Sequence, residues 1–239
     1  MRVLLCVLAA ALALGCGGAR AGTRHLHVLF VGNSLTATND LPGTVAAFAH
    51  AVGHVEVDVK MVAPGGYALE DHWADGVARA ALDAGGWDAV VMQQGPSSLP
   101  DSRVNLIEWT RRWADEARAH GVRPALLTVW PEQDRYAVFP AVIANYAAAA
   151  RAARAVSFPA GVAWVDAARR APKLRLYGPD GFHPSRLGTY LTAAVVYTGL
   201  TGEVPRSFPR EIAGTHVDPS VARALRASVG VAYRAVKAP

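Results

Sequence analysis

Short apolar runs alternate with longer amphipathic segments along most of this chain, and this alternation constrains the fold more than any other feature. Each apolar run is mostly rich in Val, Leu or aromatic residues and is bounded by Gly or Pro, which is typical of a buried β-strand. Five strand–helix cycles predict a parallel sheet with helices on both faces, that is, a three-layer α/β/α sandwich. The predicted strands are residues 25–32, 55–62, 87–93, 123–130 and 160–166.

The segments between these strands have helical periodicity. Apolar residues recur at spacings of three and four over residues 41–52, and again over 106–117. Asp40 is expected to cap the first of these helices, and Gly53 is expected to end it. Later helices are predicted over residues 138–156, 185–199 and 218–236.

The first 21 residues have the pattern of an export signal. Arg2 precedes an apolar run that is short for a membrane span. Two outcomes remain open: cleavage after Ala21, which would leave Gly22 first, or lipidation of Cys16, because residues 13–16 resemble a bacterial lipoprotein box. We therefore expect a signal over 1–21 and a single domain over 22–239. The domain would be periplasmic or extracellular, with a membrane contact only through a lipid on Cys16.

The composition suits one globular domain and argues against nucleic-acid binding. The 239 residues are 52% hydrophobic, which allows a large core. The formal charge of +5 falls to +3 without residues 1–21, because 22 basic and 19 acidic residues then remain. Three lysines and scattered arginines form no dense basic stripe, so no nucleic-acid partner is expected. Both cysteines lie within the expected signal, so no disulfide is expected in the domain.

Polar or glycine-rich segments follow the first four predicted strands. Ser34 comes directly after the first strand, and residues 63–73, 93–98 and 130–133 follow the next three. Ligands of open α/β sheets bind beyond the carboxyl ends of the strands. We therefore expect these four loops to meet in one crevice.

A late Asp-x-x-His pair offers what a nucleophilic serine needs. Serine requires a base to take its proton, and the base requires an acid that orients it. Asp180 and His183 lie three apart in a Gly/Pro-rich loop before a predicted helix, so one loop can present both side chains. His183 is then the expected base for Ser34, and Asp180 its orienting partner. The Gly-x-Ser-x-Gly elbow of α/β-hydrolases is absent.

In these features the sequence resembles the SGNH (GDSL-type) hydrolases over about residues 25–200. Gly-Asn-Ser-Leu at 32–35 stands for the usual Gly-Asp-Ser-Leu, a glycine follows the second strand, a polar loop follows the third, and Asp-x-x-His comes late. The resemblance implies a flavodoxin-like sandwich with Ser34 as nucleophile, His183 as base and Asp180 as its partner. It also implies an oxyanion hole made by the Ser34 amide, a glycine amide and a side-chain amide.

The oxyanion hole has alternatives that the sequence leaves open. The glycine corresponds to Gly66, with Gly65 as second choice. The third block departs from the family pattern, because Ser97 stands where the family has Asn. Gln94 is expected to supply the missing amide N–H, with Gln93 and Ser97 as alternatives. Of Gln94 and Gln93, which lie on successive strand positions, only Gln94 is predicted to face the Ser34 oxygen.

The resemblance implies hydrolysis of carboxylic esters through an acyl-enzyme, without a cofactor. No metal is expected, because no acidic or Cys partner completes a ligand set with His25 and His27. Small acyl groups are expected, above all O-acetyl groups on carbohydrate, so the partner would be a small-molecule or polysaccharide ester. A lipase or thioesterase is the alternative within the class, although no long apolar lid is evident. The alternative outside the class of ester hydrolases is a catalytically weak, carbohydrate-binding protein of the cell envelope. The altered third block favours this binding protein.

Four further residues near the expected crevice have open roles. His72 is expected to form a local hydrogen bond rather than to take part in catalysis. Tyr67, Trp73 and Trp130 could either stack on a sugar or pack in the core.

Overall fold

The computed structural model describes residues 23–237 and builds them around a five-stranded parallel sheet. The strand order is β2-β1-β3-β4-β5, and every neighbouring pair is parallel. This order confirms the predicted fold class, a three-layer α/β/α sandwich. The strands are β1 Arg24–Val31, β2 Val55–Val62, β3 Ala89–Met92, β4 Arg123–Leu127 and β5 Val156–Phe158.

Helices cover both faces of the sheet. One layer consists of α2, α7, α8 and α9, and the other of α3, α4, α5 and α6. A one-turn helix α1, a 3₁₀ helix over Gln133–Val138 and a small hairpin of β6 and β7 complete the described chain. The bounds are α1 Ser34–Ala37, α2 Leu41–Val52, α3 Leu69–Asp75, α4 Val77–Asp83, α5 Pro100–Ala119, α6 Phe139–Ala153, α7 Ala160–Arg170, α8 Arg186–Thr201, β6 Glu211–Ile212, β7 Thr215–His216 and α9 Pro219–Lys237.

Helix α2 begins and ends where the sequence predicts. The Asp40 side chain accepts a hydrogen bond from the Gly43 amide, which satisfies one of the free N–H groups of the first turn. Gly53 follows the helix with φ of +82°, a left-handed conformation that glycine adopts without steric cost. Both predicted ends are confirmed.

The predicted fifth strand over 160–166 is wrong. That segment lies in α7, and the fifth strand is the three residues before it, Val156–Phe158. The buried residues of α7 recur at helical spacing, because they include Ala160, Ala163, Trp164 and Ala167. A strand of three residues at the sheet edge is too short to show a pattern of its own, whereas the apolar start of the following helix resembles a strand.

Strands β1 and β3 place the candidate site at the middle of the sheet. All four residues of β3 are buried, as expected for a strand covered on both faces. Val31 pairs with Met92, and the Gln93 amide donates to the Val31 carbonyl at 2.9 Å. Because β1 lies between β2 and β3, the chain leaves its carboxyl end at the topological switch point, where ligands of such sheets bind.

The predicted signal over 1–21, with Cys16, lies outside the described residues. Within residues 23–237, no helix has the length and apolar character needed to span a membrane.

Candidate active site

Ser34 is the first residue of α1, directly beyond β1. Asn33 caps this short helix, because its side-chain Oδ1 accepts a hydrogen bond from the Leu35 amide at 3.1 Å. The turn before it requires glycine: a Cβ on Gly32 would lie 2.5 Å from the Gln93 Oε1 atom. The Gly-Asn-Ser-Leu block is therefore the local reason why a serine is held at the end of this strand.

The structure brings Ser34, His183 and Asp180 together over 149 residues of sequence. His183 Nε2 lies 2.9 Å from Ser34 Oγ, and His183 Nδ1 lies 2.5 Å from Asp180 Oδ2. A proton on Nδ1 satisfies the carboxylate and leaves the Nε2 lone pair for the serine hydroxyl. The three side chains thus form one hydrogen-bonded chain in the order needed for nucleophile, base and orienting acid.

Hydrogen bonds to backbone groups fix the conformation of the loop that carries Asp180 and His183. Asp180 Oδ1 accepts hydrogen bonds at 3.0 Å from the amides of Phe182 and His183. Gly181 has φ of +69°, and its carbonyl accepts from the Gln133 amide at 2.8 Å. The hydrogen bond from His183, followed by that from the Phe182 amide, lowers the pKa of Asp180 to about 2. Asp180 is therefore an anion at neutral pH.

Gln93, which the sequence offers as an alternative oxyanion donor, supports the residue before Ser34 instead. Its Oε1 accepts from the Asn33 amide at 3.0 Å and from the Thr36 hydroxyl at 2.8 Å. Its Nε2 donates to the Asn33 side chain at 2.9 Å and to the Gln94 carbonyl at 2.7 Å. Three of these four hydrogen bonds therefore go to Asn33 and Thr36, on either side of Ser34, and the fourth goes to the Gln94 carbonyl.

Gln94 does not occupy the position that the sequence predicts for it. Its Oε1 accepts from the Leu69 amide at 3.2 Å, and its Nε2 donates to Ser97 Oγ and Asn105 Oδ1 at 3.2 and 3.3 Å. Both amide hydrogens thus have acceptors on the side of α3 and α5. The two glutamine side chains point in opposite directions, as strand alternation predicts. However, Gln93 and not Gln94 faces the turn that carries Ser34.

The backbone candidates for an oxyanion hole have free N–H groups. The amides of Ser34 and Gly66 donate to no acceptor within residues 23–237. Gly66 has φ of +78°, which glycine tolerates and other residues rarely adopt, whereas Gly65 has no such requirement. Ser97, the other side-chain alternative, is buried and its hydroxyl contacts Gln94 Nε2 and the Gly95 carbonyl.

Comparison with solved structures finds proteins of similar fold. A protein from Slackia heliotrinireducens, provisionally assigned as an SGNH hydrolase, is 25% identical, with a TM-score of 0.63 over 74% of this chain and 100% of that chain. A lipase/acylhydrolase from Enterococcus faecalis is 16% identical, with a TM-score of 0.59 over 76% of this chain and 98% of that chain. The chain has the SGNH hydrolase fold. The family resemblance seen in the sequence blocks is thereby confirmed.

A third solved structure has a similar fold. A DUF4886 family protein from Bacteroides uniformis is 17% identical, with a TM-score of 0.70 over 88% of this chain and 95% of that chain. No protein-family model and no curated protein sequence matches the chain. Other solved structures with a similar fold are named as esterases and lipases.

Asn39 links the segment after α1 to the loop that carries His183, and the sequence did not predict this. Its Nδ2 donates to the Pro184 carbonyl at 2.8 Å and to the Thr189 hydroxyl at 3.0 Å. Asn39 has φ of +56°, a conformation in which Asn is enriched. The Asn39-Asp40 dipeptide before a helix was therefore a signal for a turn, but nothing in the sequence indicated its partner on the His183 loop.

His72 forms the local hydrogen bond that was expected of it. Its Nε2 donates to the Gly32 carbonyl at 2.7 Å, while its Nδ1 is buried without a partner among the described residues. Burial lowers the pKa of His72, so the ring is neutral and supports the backbone just before Ser34.

The three aromatic residues considered for stacking on a sugar differ in their burial. Trp130 is 1% exposed and stacks on Trp164 with ring centroids 3.7 Å apart, so it belongs to the core. Trp73 packs against Trp113 in an edge-to-face contact. Tyr67 is half-buried, and its carbonyl accepts a hydrogen bond from Asn33 Nδ2 at 2.9 Å.

Proposed function

We propose that this chain is a serine esterase that hydrolyses carboxylic esters through an acyl-enzyme on Ser34. The observation that carries the proposal is the continuous chain of hydrogen bonds from Ser34 Oγ through His183 to Asp180. Serine is a poor nucleophile unless a base removes its proton as it attacks, and this arrangement supplies the base with its tautomer already fixed.

Acylation would use each member of the triad once. Ser34 Oγ attacks the ester carbonyl carbon while its proton passes to His183 Nε2, and the carbonyl oxygen becomes an oxyanion. The bond to the alcohol then breaks, and the proton on Nε2 passes to the departing alkoxide, which leaves as the alcohol. Asp180 remains ionised and stabilises the imidazolium that forms between these two transfers.

Deacylation would repeat the sequence with water. His183 Nε2 takes a proton from water, the hydroxide attacks the acyl carbon, and a second oxyanion forms. The bond to Ser34 Oγ breaks, the proton returns from Nε2 to the serine, and the carboxylic acid is released. Two proton transfers to His183 and two from it close the cycle, so the reaction as written consumes only ester and water.

The free amides of Ser34 and Gly66 are the donors we assign to the oxyanion, with Gly65 as the alternative to Gly66. Donors fixed in place before the reaction stabilise the charge that develops in the transition state. Because Gln94 gives both amide hydrogens to other residues, we assign no side-chain donor to this hole.

We favour small acyl groups on a carbohydrate, above all O-acetyl groups, as the substrate. The Asp180 side chain is half exposed and that of His183 is about one-third exposed, so the site is open to solvent on their side. An open, hydrated site suits a polysaccharide or another polar alcohol better than a lipid, which would need a buried apolar channel.

A catalytically weak, carbohydrate-binding protein of the cell envelope remains the second candidate. The observation that favours it is the engagement of Gln94 elsewhere, which leaves the oxyanion with backbone donors alone. Removing one such donor from a hydrolase costs about 10²–10³ in kcat, so slow turnover with intact triad geometry would indicate this function.

Hydrolysis of 4-nitrophenyl acetate and 4-nitrophenyl decanoate tests the proposal. We expect turnover of the acetate that Ser34→Ala removes almost completely, whereas Ser207→Ala, which changes an exposed serine on another loop, retains it. Preference for the decanoate would favour the lipase or thioesterase alternative. Wild-type rates equal to those of Ser34→Ala would contradict an esterase.

A further inference from the structure

A large cleft adjoins the His183 side of the candidate site. It has a volume of about 1300 Å³, and both His183 and Asp180 line it. Thr38 and Asn39, which follow the nucleophile's helix, also line it. The cleft is therefore continuous with the triad rather than a separate depression.

The chemistry of the proposed reaction determines which part of an ester this cleft would receive. His183 Nε2 protonates the departing alcohol, so the alcohol oxygen must lie beside the imidazole ring. The oxyanion, in contrast, lies toward the amides of Ser34 and Gly66. A cleft that continues past His183 and Asp180 is therefore the space for the alcohol portion of the substrate, and this step rests on the proposed function.

The cleft is basic. Lys173, Arg175 and Arg186 line it, and Asp180 is its acidic residue. All three basic side chains are exposed, and none has a carboxylate within ion-pair distance among residues 23–237. The hydrogen bond to His183 does not remove the charge of the Asp180 carboxylate, so Asp180 offsets one of the three cations. The remaining positive charge has no compensating carboxylate among the residues that line the cleft.

The first turn of α8 adds to the positive electrostatic potential of the cleft. Helix α8 begins at Arg186, and its N-cap Ser185 also lines the cleft. The Ser185 side chain accepts from the Gly188 amide, while the amides at the start of the helix contribute partial positive charge. Arg186 is partly engaged, because its Nη1 donates to the Ala213 carbonyl at 3.2 Å. Lys173 and Arg175 have no side-chain hydrogen bond within the described residues, so they are the cations free to meet a ligand.

We propose that this cleft binds an anionic group on the alcohol portion of the ester, so that the substrate is an acylated acidic saccharide or a similar polyol. A carboxylate, a sulfate or a phosphate provides the shared chemistry, since each would be attracted by Lys173, Arg175 and the start of α8. Exposed ion pairs are individually weak. The affinity for the anionic group therefore comes from several cations that act on one anion in a concave site.

Matched acetyl esters test the inference. The anionic probes are O-acetylated glucuronic acid, whose neutral counterpart is its methyl ester, and O-acetylated glucose bearing a sulfate or a phosphate, whose neutral counterpart is O-acetylated glucose. We expect kcat/KM for release of acetate from at least one anionic probe to exceed that from its neutral counterpart about fivefold or more, and the ratio to fall toward one as ionic strength rises from about 0.05 to 0.5 M. The probe with the largest ratio identifies which anion the cleft prefers.

Charge-removal variants assign the effect to the cleft. We expect Lys173→Gln/Arg175→Gln to lower the anionic-to-neutral ratio about three- to tenfold, and Arg175→Lys to retain the ratio. The matched control, Arg111→Gln/Arg223→Gln, removes the same charge from exposed residues that do not line the cleft, and should leave the ratio unchanged.

Two results would overturn the inference: a wild-type ratio at or below one for every anionic probe, or an equal fall in the control pair. Either result, with turnover of 4-nitrophenyl acetate intact, would contradict the anionic substrate and leave the esterase proposal standing. Absence of turnover on every ester would instead contradict the proposed function. Titration of Ser34→Ala with the same probes then measures whether the cleft prefers the anion without any chemistry.

Discussion

The Gln93 side chain forms two hydrogen bonds with Asn33. Its Oε1 accepts from the Asn33 backbone amide at 3.0 Å, and its Nε2 donates to the Asn33 side-chain oxygen at 2.9 Å. Asn33 in turn donates from Nδ2 to the Tyr67 carbonyl at 2.9 Å. Hydrogen bonds to Asn33, the residue before Ser34, therefore connect the loops that follow β1, β2 and β3. This network sets the position of the serine and of the amides proposed for the oxyanion hole.

Gln93→Ala should lower kcat on an acetyl ester by about 10- to 100-fold, because small displacements of a nucleophile are costly in rate. It should also destabilise the fold by about 1–3 kcal/mol, since the Asn33 amide would lose its buried acceptor. Steady-state kinetics and urea unfolding measure the two effects separately.

Gln94→Ala is the matched comparison for Gln93→Ala. It removes a neighbouring buried glutamine that contacts Leu69, Ser97 and Asn105 rather than the serine turn. We expect a loss of stability of similar size and a change in kcat of less than about threefold. A larger kcat loss in Gln94→Ala than in Gln93→Ala would restore Gln94 as an oxyanion donor and contradict the network described above.

His72 should make the stability of the fold depend on pH. Burial lowers its pKa below the ordinary value of 6.5, so between these two pKa values the unfolded chain binds the proton that the folded chain excludes. The stabilisation is complete above about pH 6.5 and decreases as the pH falls below it. Wild-type protein should therefore lose free energy of unfolding between pH 7 and pH 5.

His72→Gln isolates this contribution. Glutamine can still donate to the Gly32 carbonyl but does not titrate, so the variant should lose less stability than wild type over the same interval. Urea denaturation at the two pH values gives the comparison, and the other histidines act equally in both proteins. An equal loss in both proteins would show that His72 does not titrate on unfolding.

Export is a proposal that rests on the sequence alone. If the chain carries a signal over 1–21, protein recovered from the cell envelope or medium should have lost it. The intact mass should correspond either to a chain that begins at Gly22 or to one that begins at a diacylated Cys16. An intact chain that still begins at Met1, recovered from the cytosol, would contradict both routes.

The sheet and the hydrogen-bonded arrangement of Ser34, His183 and Asp180 were predictable from the sequence because each depends on a local pattern. The first four strands are apolar runs with clear boundaries, and their carboxyl ends had to meet at one edge of a parallel sheet. Ser34, Asp180 and His183 followed from that placement and from the family blocks. The fifth strand failed because Val156–Phe158 is too short to show a period, whereas the helix after it starts with an apolar run.

The hydrogen-bond network around Ser34 was not predictable in the same way. Strand alternation shows that Gln93 and Gln94 point to opposite sides, but it does not say which side holds the serine turn. That depends on the relative heights of β1 and β3, which the pairing of Val31 with Met92 fixes. Asn39 is a similar case, because its partners Pro184 and Thr189 lie about 150 residues away.

Covalent labelling of Ser34 tests the central claim most directly. Wild-type protein is incubated with an ethyl fluorophosphonate, digested and mapped by tandem mass spectrometry, beside Ser34→Ala and His183→Ala. The account predicts one adduct per chain on Ser34, no adduct in Ser34→Ala, and labelling slowed by at least about 10³-fold in His183→Ala, because the imidazole activates the hydroxyl. An adduct on another residue, or equal labelling of wild type and His183→Ala, would contradict the assignment of Ser34 as a nucleophile activated by His183.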